Sequence, residues 1–386
     1  MKKSLIAIAV AAALPAFAQA QTNVQLYGIV DTSIGVADVG GPNSNTEMVV
    51  LSGVQSTSRF GFRGTESLGG GLSAIFNYEA GVGSDTGGGP DSAGLFQRRS
   101  IVGLKGGFGE VRLGRDYTPG FSAAGQTDIM GYSFYGNWLN FTAGSTQGTT
   151  FAGVGGIATR FSNGIYYSSP SFGNTACMAA PQSTECGAFS GGLAVNLAYA
   201  AGENLTGNSS AGDAYGGSVV YKGGPLVVQG YYQTGTARPG SVAQDVDVDQ
   251  YGFGAGWNFG MFRIAGNWGE TKATPTGGGD IKNRAYGLGG AMKLGGGEIL
   301  INFIDREIKG LAGEKPSATT WGLAYTYPLS KRTNVYASYG MTDNNSAGAF
   351  SLNYSQGSLQ ANNNATGSGA LGADLRAFAL GVRHLF

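Results

Sequence analysis

The chain has 386 residues, only 12% of them charged, and its 24 Lys and Arg balance 24 Asp and Glu. That balance excludes a strongly basic nucleic-acid surface. Gly is very frequent, at 70 residues, but follows no three-residue period; with 19 Tyr and 20 Phe the composition reads as many strands and excludes a collagen-like chain.

The first segment carries an export signal. Lys2 and Lys3 form a positive start, Leu5 to Leu14 an Ala-rich apolar stretch, and Ala18-Gln19-Ala20 a small-residue cleavage site. Residues 1–20 are therefore expected to be a cleaved leader and residues 21–386 the mature domain. Removing Lys2 and Lys3 leaves 22 basic against 24 acidic residues, a net charge near −2. The apolar stretch is roughly ten residues long, half of what a membrane-crossing helix needs, and no comparable run follows. The texture is uniform from Val24 to Phe386, with no linker, which fits one closed barrel better than several domains.

The first strand is expected from Val24 to Gly35. Val24, Leu26, Gly28, Val30 and Ile34 share one face; Gln25, Tyr27, Asp31 and Ser33 share the other. A second strand begins near Ser58, with Phe60 and Phe62 opposite Arg59 and Arg63. After the turn Ser67 to Gly71, a third strand turns Leu72, Ala74, Phe76, Tyr78 and Ala80 outward, and Ser73, Asn77 and Glu79 inward. A fourth strand near Arg98 to Lys105 and a fifth from Glu110 to Asp116 precede the longest early connection, Tyr117 to about Thr159. A sixth strand follows near Arg160 to Ser168. Later connections alternate: short Gly-rich turns near Gly223, Phe259 and Gly295, and long polar loops such as Gly235 to Asp249 and Asp343 to Asp374. The last strand puts Phe378, Leu380, Val382, His384 and Phe386 on one face, and Ala377, Ala379, Gly381, Arg383 and Leu385 on the other.

Alternating short and long connections, with alternating apolar and polar faces, are the pattern of an outer-membrane barrel. Counting both arms of every hairpin gives 16 strands, at roughly 23 residues per strand and connection. The fold class expected is all-β, a closed antiparallel transmembrane barrel, because lipid cannot satisfy an open sheet edge. A barrel of about 16 strands is too wide for side chains to fill and leaves an aqueous channel. Aromatics near strand ends, among them Tyr27, Tyr78, Trp257, Phe259, Trp268, Trp321, Tyr327 and Phe386, suit the interfacial girdles, although Tyr27 has lumen parity.

Chemistry other than a pore finds little material. The only His is His384 and the only cysteines are Cys177 and Cys186. A serine triad lacks a suitable base, a zinc site lacks ligands, and no cofactor is expected. In an exported chain Cys177 and Cys186 read as one small disulfide loop.

Several segments, in order along the chain, resemble the general diffusion porins of Gram-negative bacteria, of the β-proteobacterial type. They include Leu26-Tyr27-Gly28-Ile29-Val30-Asp31, the run Ser58 to Glu66, Phe108 to Arg115, Tyr166 to Phe172, Ser330-Lys331-Arg332-Thr333 and Gly381 to Phe386. The resemblance implies a homotrimer in the cell outer membrane, surrounded by lipid and lipopolysaccharide and passing small hydrophilic solutes and ions. It also implies a third extracellular loop, here Tyr117 to about Thr159, folded into the lumen opposite a basic cluster that includes Arg59 and Arg98. Ser67 stands where the family usually has Asp, and Asn174 to Ala188 looks like an insertion in a normally short turn.

The pore residues expected from parity and resemblance are Arg59, Arg63, Arg98, Arg99 and, as the one charge of the constriction loop, Asp128. Parity favours Arg99 over Arg98 and the resemblance favours Arg98, so both are kept. Asp31, Glu79 and Arg383 are expected on the lumen wall. Arginines facing a nearly neutral loop should favour anions; alternatively they pair with Asp31, Glu66, Glu79 and Glu110 and only brace the wall. Two competing roles remain. Long loops could make the barrel an adhesin, and Tyr132, Phe134, Tyr135 and Trp138 could form an aromatic track for a specific substrate, although loop packing suits them better.

Overall fold

The computed structural model describes residues 23–40, 46–89, 94–142, 159–171, 192–202, 213–237, 246–359 and 371–386. Residues 1–20, expected to be a leader, and the disulfide expected between Cys177 and Cys186 lie outside the described residues.

Seventeen strands form one antiparallel sheet that closes on itself. They are β1 (Asn23–Asp38), β2 (Glu47–Ser52), β3 (Arg59–Gly69), β4 (Leu72–Gly81), β5 (Arg99–Gly106), β6 (Gly109–Tyr117), β7 (Arg160–Ser168), β8 (Gly192–Ala200), β9 (Ala214–Gly223), β10 (Leu226–Ala237), β11 (Val246–Asn258), β12 (Phe262–Pro275), β13 (Ile281–Leu294), β14 (Gly297–Lys309), β15 (Ser317–Pro328), β16 (Thr333–Asn344) and β19 (Leu375–Leu385). A two-residue-per-arm hairpin, β17 (Leu352–Asn353) and β18 (Ser358–Leu359), lies apart from the wall sheet.

The second strand of the wall differs from the sequence expectation. It does not begin at Ser58. It consists of β2 and β3 in line: residues 32–37 of β1 pair with β2, and residues 23–29 pair with β3. Between them Gly53 to Ser58 leaves the ladder, and every one of these residues is buried. Counted as one interrupted strand, β2 and β3 bring the wall to 16 strands.

Closure joins β1 to β19 from Ile29↔Leu385 to Asp38↔Arg376. Gly28 N donates to Phe386 O and Phe386 N to Gly28 O, both at 3.1 Å. A Cβ at Gly28 would lie 2.2 Å from Phe386 Cζ, so the terminal ring occupies the space that the glycine leaves.

Connections at one rim are tight, as at Gly69, Gly70 and Gly71, whose φ values of 84°, 60° and 80° suit glycine. The other rim carries the long connections, which places it outside the cell and the tight turns in the periplasm. The outward face is an apolar band: Val24, Leu26, Val30, Ile34, Val102, Phe253, Leu288, Ile301, Leu380 and Val382 are all exposed. Aromatics pack along it in tilted pairs, as in Phe253–Trp268 at 5.3 Å and Phe303–Trp321 at 4.5 Å. Tyr27 follows its parity instead and reaches Asn77 and Glu79 inside the barrel.

Candidate functional site

The third long connection folds into the lumen. It opens with helix α1 (Pro119–Ala124), capped where Thr118 Oγ1 accepts from Phe121 N at 3.2 Å, and includes a single turn, α2 (Leu139–Thr142). Tyr117, Phe121 and Tyr132 stack in a row, with centroids 5.3 and 4.3 Å apart. The loop then seats against the inward glycines of β13, β15 and β16. A Cβ at Gly287 would lie 2.6 Å from the Trp138 ring, one at Gly322 2.2 Å from Tyr135 O, and one at Gly340 2.3 Å from Tyr135 Cβ.

Asp128 is the internal tie of this loop. Its Oδ2 accepts from Tyr132 N (2.8 Å) and Trp138 N (3.1 Å), and its Oδ1 from Met130 N (3.2 Å). These bonds hold a turn in which Tyr132 and Phe134 adopt positive φ, 58° and 62°. Burial raises the Asp128 carboxyl to about 6, against the opposing pull of the three N–H donors. Asp128 is therefore a correction to the sequence expectation: it belongs to the constriction loop, but its carboxylate is buried there and does not line the passage. Tyr132, Phe134, Tyr135 and Trp138 are buried as well, so they pack the loop and offer solutes no aromatic track.

The open passage runs between α1 and the wall from β3 to β8, and reaches the first half of β1 at Gln25, Tyr27 and Ile29. Its cavity of about 590 Å³ is lined by Arg59, Arg63, Arg99, Arg112 and Arg332, with Glu79, Glu110 and Asp116 as the acidic groups and Ser122 and Gln126 from the loop side. Five arginines thus face three carboxylates, and Arg112 is shared, lying 3.4 Å from Glu110 as well as beside Asp116. Glu79 takes Arg98 at 2.7 Å and Arg59 at 3.6 Å. Asp116 takes Arg99 at 2.8 Å and Arg112 at 3.2 Å. Arg98 and Arg99 both reach inward carboxylates, and of the two only Arg99 lines this cavity. Arg99 is the first residue of β5, and Arg98 stands just before it, where its backbone N donates to Glu79 O. Asp116 shares the inward parity of Arg112, four residues before it on β6, and so stands beside them. Arg98 also donates to Tyr117 Oη at 2.6 Å, tying the wall to the loop.

Arg63 lies nearer the periplasm, exposed, 4.9 Å over the Tyr27 ring and donating to Gln25 Oε1 at 2.9 Å. Asp31 and Arg383 point inward but lie under the Gly53–Ser58 segment rather than on the passage. Asp31 accepts from Ser56 N (2.5 Å) and Tyr336 Oη (2.6 Å), and Arg383 donates to Ser56 Oγ (3.1 Å). Arg112 and Asp116 were not singled out by sequence reasoning as pore residues. The run Glu110 to Arg115, with inward parity for Arg112, was the available signal. His384 is outward at the periplasmic rim, where its Nδ1 meets Thr333 Oγ1 at 2.9 Å.

Comparison with known proteins agrees with this geometry. Residues 7–348 match the Gram-negative porin family. Outer membrane porin protein 32 of Delftia acidovorans is 36% identical over the full length of both chains. An outer membrane porin protein of Bordetella pertussis is 30% identical over 88% of this chain and 94% of its own. The solved anion-selective porin from Comamonas acidovorans superposes with a TM-score of 0.76 at 30% identity, covering 95% of this chain and all of that one. A closed 16-stranded wall, an inward third loop and an arginine-lined passage thus accompany sequence similarity along the whole chain, and the protein belongs to the Gram-negative porin family, forming a channel in the outer membrane.

Proposed function

We propose that the channel is a non-catalytic diffusion pore that prefers anions, exported by way of a leader cleaved after Ala20 and assembled as a homotrimer. The observation that carries the anion preference is the excess of arginine: Arg59, Arg63, Arg99, Arg112 and Arg332 line the passage against Glu79, Glu110 and Asp116, and the facing segment of the loop, Pro119 to Gln126, contributes no charge. Ion pairing braces the wall, and a positive potential remains in the passage. The similarity to an anion-selective porin supports the same reading. The adhesin alternative gains nothing comparable.

The trimer is supported by an uneven apolar band. On β1 the outward apolar run extends from Val24 to Val36, and on the adjoining β2 Met48 and Val50 are exposed. On β14 the run ends at Phe303, followed by exposed Asp305. A taller apolar face at β1 and β2 suits burial against a neighbouring copy.

The test of selectivity is the reversal potential of reconstituted channels across a KCl gradient. The expected sign is that of a channel more permeable to chloride; a cation-selective sign contradicts the reading. Replacing Arg59→Ser should lower the anion-to-cation ratio about twofold, because one of the two cations on Glu79 is lost. An unchanged ratio removes Arg59 from the filter.

A further inference from the structure

A second inward segment belongs to the connection between β16 and β19. Its described part crosses the lumen as a strap from β14 to β4. At one end Arg306 of β14 lies 3.7 Å over the Phe350 ring. In the middle Asn353 N donates to Asn140 Oδ1 (2.9 Å), Asn353 Nδ2 donates to Leu139 O (3.2 Å), and Tyr354 meets Tyr135 edge-on at 5.7 Å. The strap therefore rests on the constriction loop.

The far end enters the break between β2 and β3. Gln356 Oε1 accepts from Ser52 Oγ (2.9 Å) and Ser58 N (2.8 Å); its Nε2 donates to Val82 O (2.7 Å), and its backbone N donates to Gly53 O (3.1 Å). Thr57 N donates to Ser355 Oγ (3.1 Å), and Thr57 Oγ1 donates to Ser355 O (2.9 Å). Gly53 adopts φ 71°, and a Cβ there would lie 2.2 Å from Gln356 Oε1.

A break in a transmembrane ladder strands backbone groups that lipid cannot satisfy. Here Gly53 O, Thr57 N and Ser58 N are satisfied by Ser355 and Gln356, two residues about 300 positions away in sequence. The wall is thus opened where the strap arrives, and backbone and side-chain groups of the strap replace the missing ladder. A loop that merely covered the mouth would not require a broken strand beneath it.

We propose that the strap 350–359 is a second size-determining element of the channel. It closes the sector of the lumen between β14 and the break in β2–β3, and confines solutes to the crescent beside β3–β8 and the first half of β1; Gln356 is its anchor. This inference rests on the diffusion-pore reading, and the test separates the two. Single-channel conductance in planar bilayers and the swelling of liposomes in sugars of rising size are measured for three proteins. These are the wild type, Gln356→Ala, and a variant in which residues 350–359 are replaced by a short Gly-Ser linker.

Both variants should conduct more, by about twofold for the linker variant and less for Gln356→Ala, and admit larger sugars. A second pair of readings guards against misfolding. In a Cys177→Ser, Cys186→Ser background, Thr57→Cys with Ser355→Cys should, when oxidised, restore the wild-type conductance to a Gln356→Ala channel, and reductant should abolish the restoration. Wild-type conductance and sugar cut-off in both Gln356→Ala and the linker variant overturn the proposal while leaving the pore reading intact. A wild-type protein that forms no channel overturns both.

Discussion

The two sides of the lumen obey the same alternation but carry different inward residues. From β11 through β16, β14 with its inward Leu300, Ile304 and Arg306 excepted, the inward positions are dominated by small groups, among them Gly252, Gly254, Ala285, Gly287, Gly289, Gly322, Ala324 and Gly340. From β3 through β6 they include Arg59, Arg63, Asn77, Glu79, Arg99, Arg112 and Asp116. The small residues leave room for the constriction loop, whose Ile129, Tyr135 and Trp138 occupy the space of the missing side chains. The charged residues remain beside the passage. One side of the barrel has become a packed core and the other a solute path, and inward residue size separates them.

This division predicts that substitutions on the packed side change stability first, while those on the open side change ion preference. Trp138→Ala should show the largest effect. The side chain is almost fully buried against Gly287 and 5.1 Å from the Phe141 ring, and truncating such a group removes about 3–5 kcal/mol. Thermal unfolding of the detergent-solubilised protein should reveal the loss, with noisier single-channel currents as the loop loosens. Unchanged melting would mean that the loop is not seated on those glycines.

A pH effect at Asp128 should be next in size. Its carboxyl is raised in the folded protein to about 6, above its ordinary value. The neutral acid is therefore the form the fold favours. The resulting stability is fully present below the unfolded pKa, about 3.9, and lost as pH rises through about 6. The wild type should lose on the order of 3 kcal/mol across that window, and Asp128→Asn should lack this step. Equal pH profiles for the two proteins would show that Asp128 does not titrate within the packed loop.

The smallest stability effect is expected on the open side. Arg63→Ser should alter melting by no more than about 0.5 kcal/mol, since Arg63 is exposed and bonded only to Gln25 among the described residues. It should still lower the anion-to-cation ratio. A large stability loss at Arg63 would blur the distinction between the two sides.

Much of this was legible in the sequence because a period of two fixes which residues can meet. The parity of β1 and β19, the tight glycine turns and the inward Arg59, Arg63 and Glu79 follow from it directly. The seat of the constriction loop was also written in the chain, as glycine and alanine at inward positions of the later strands, but glycine in a porous wall reads equally well as a strand weakener until the loop is seen against it. Asp128 was legible as the loop's only charge and not as its tie, because the turn depends on positive φ at Tyr132 and Phe134, which no propensity favours. The break between β2 and β3 was hidden for a different reason. Gly53 to Ser58 is a short polar run that resembles an ordinary connection, and its partners, Ser355 and Gln356, lie near the other end of the chain.

Access of a water-soluble thiol reagent to single cysteines tests the division of the lumen most directly. In a Cys177→Ser, Cys186→Ser background, channels bearing Ser122→Cys or Ala285→Cys would be exposed to a bulky charged methanethiosulfonate while current is recorded. Ser122 borders the passage and Ala285 is fully buried behind the loop. Current should fall stepwise at Ser122→Cys and remain steady at Ala285→Cys. Block at Ala285→Cys with none at Ser122→Cys would place the conducting path on the side described here as packed.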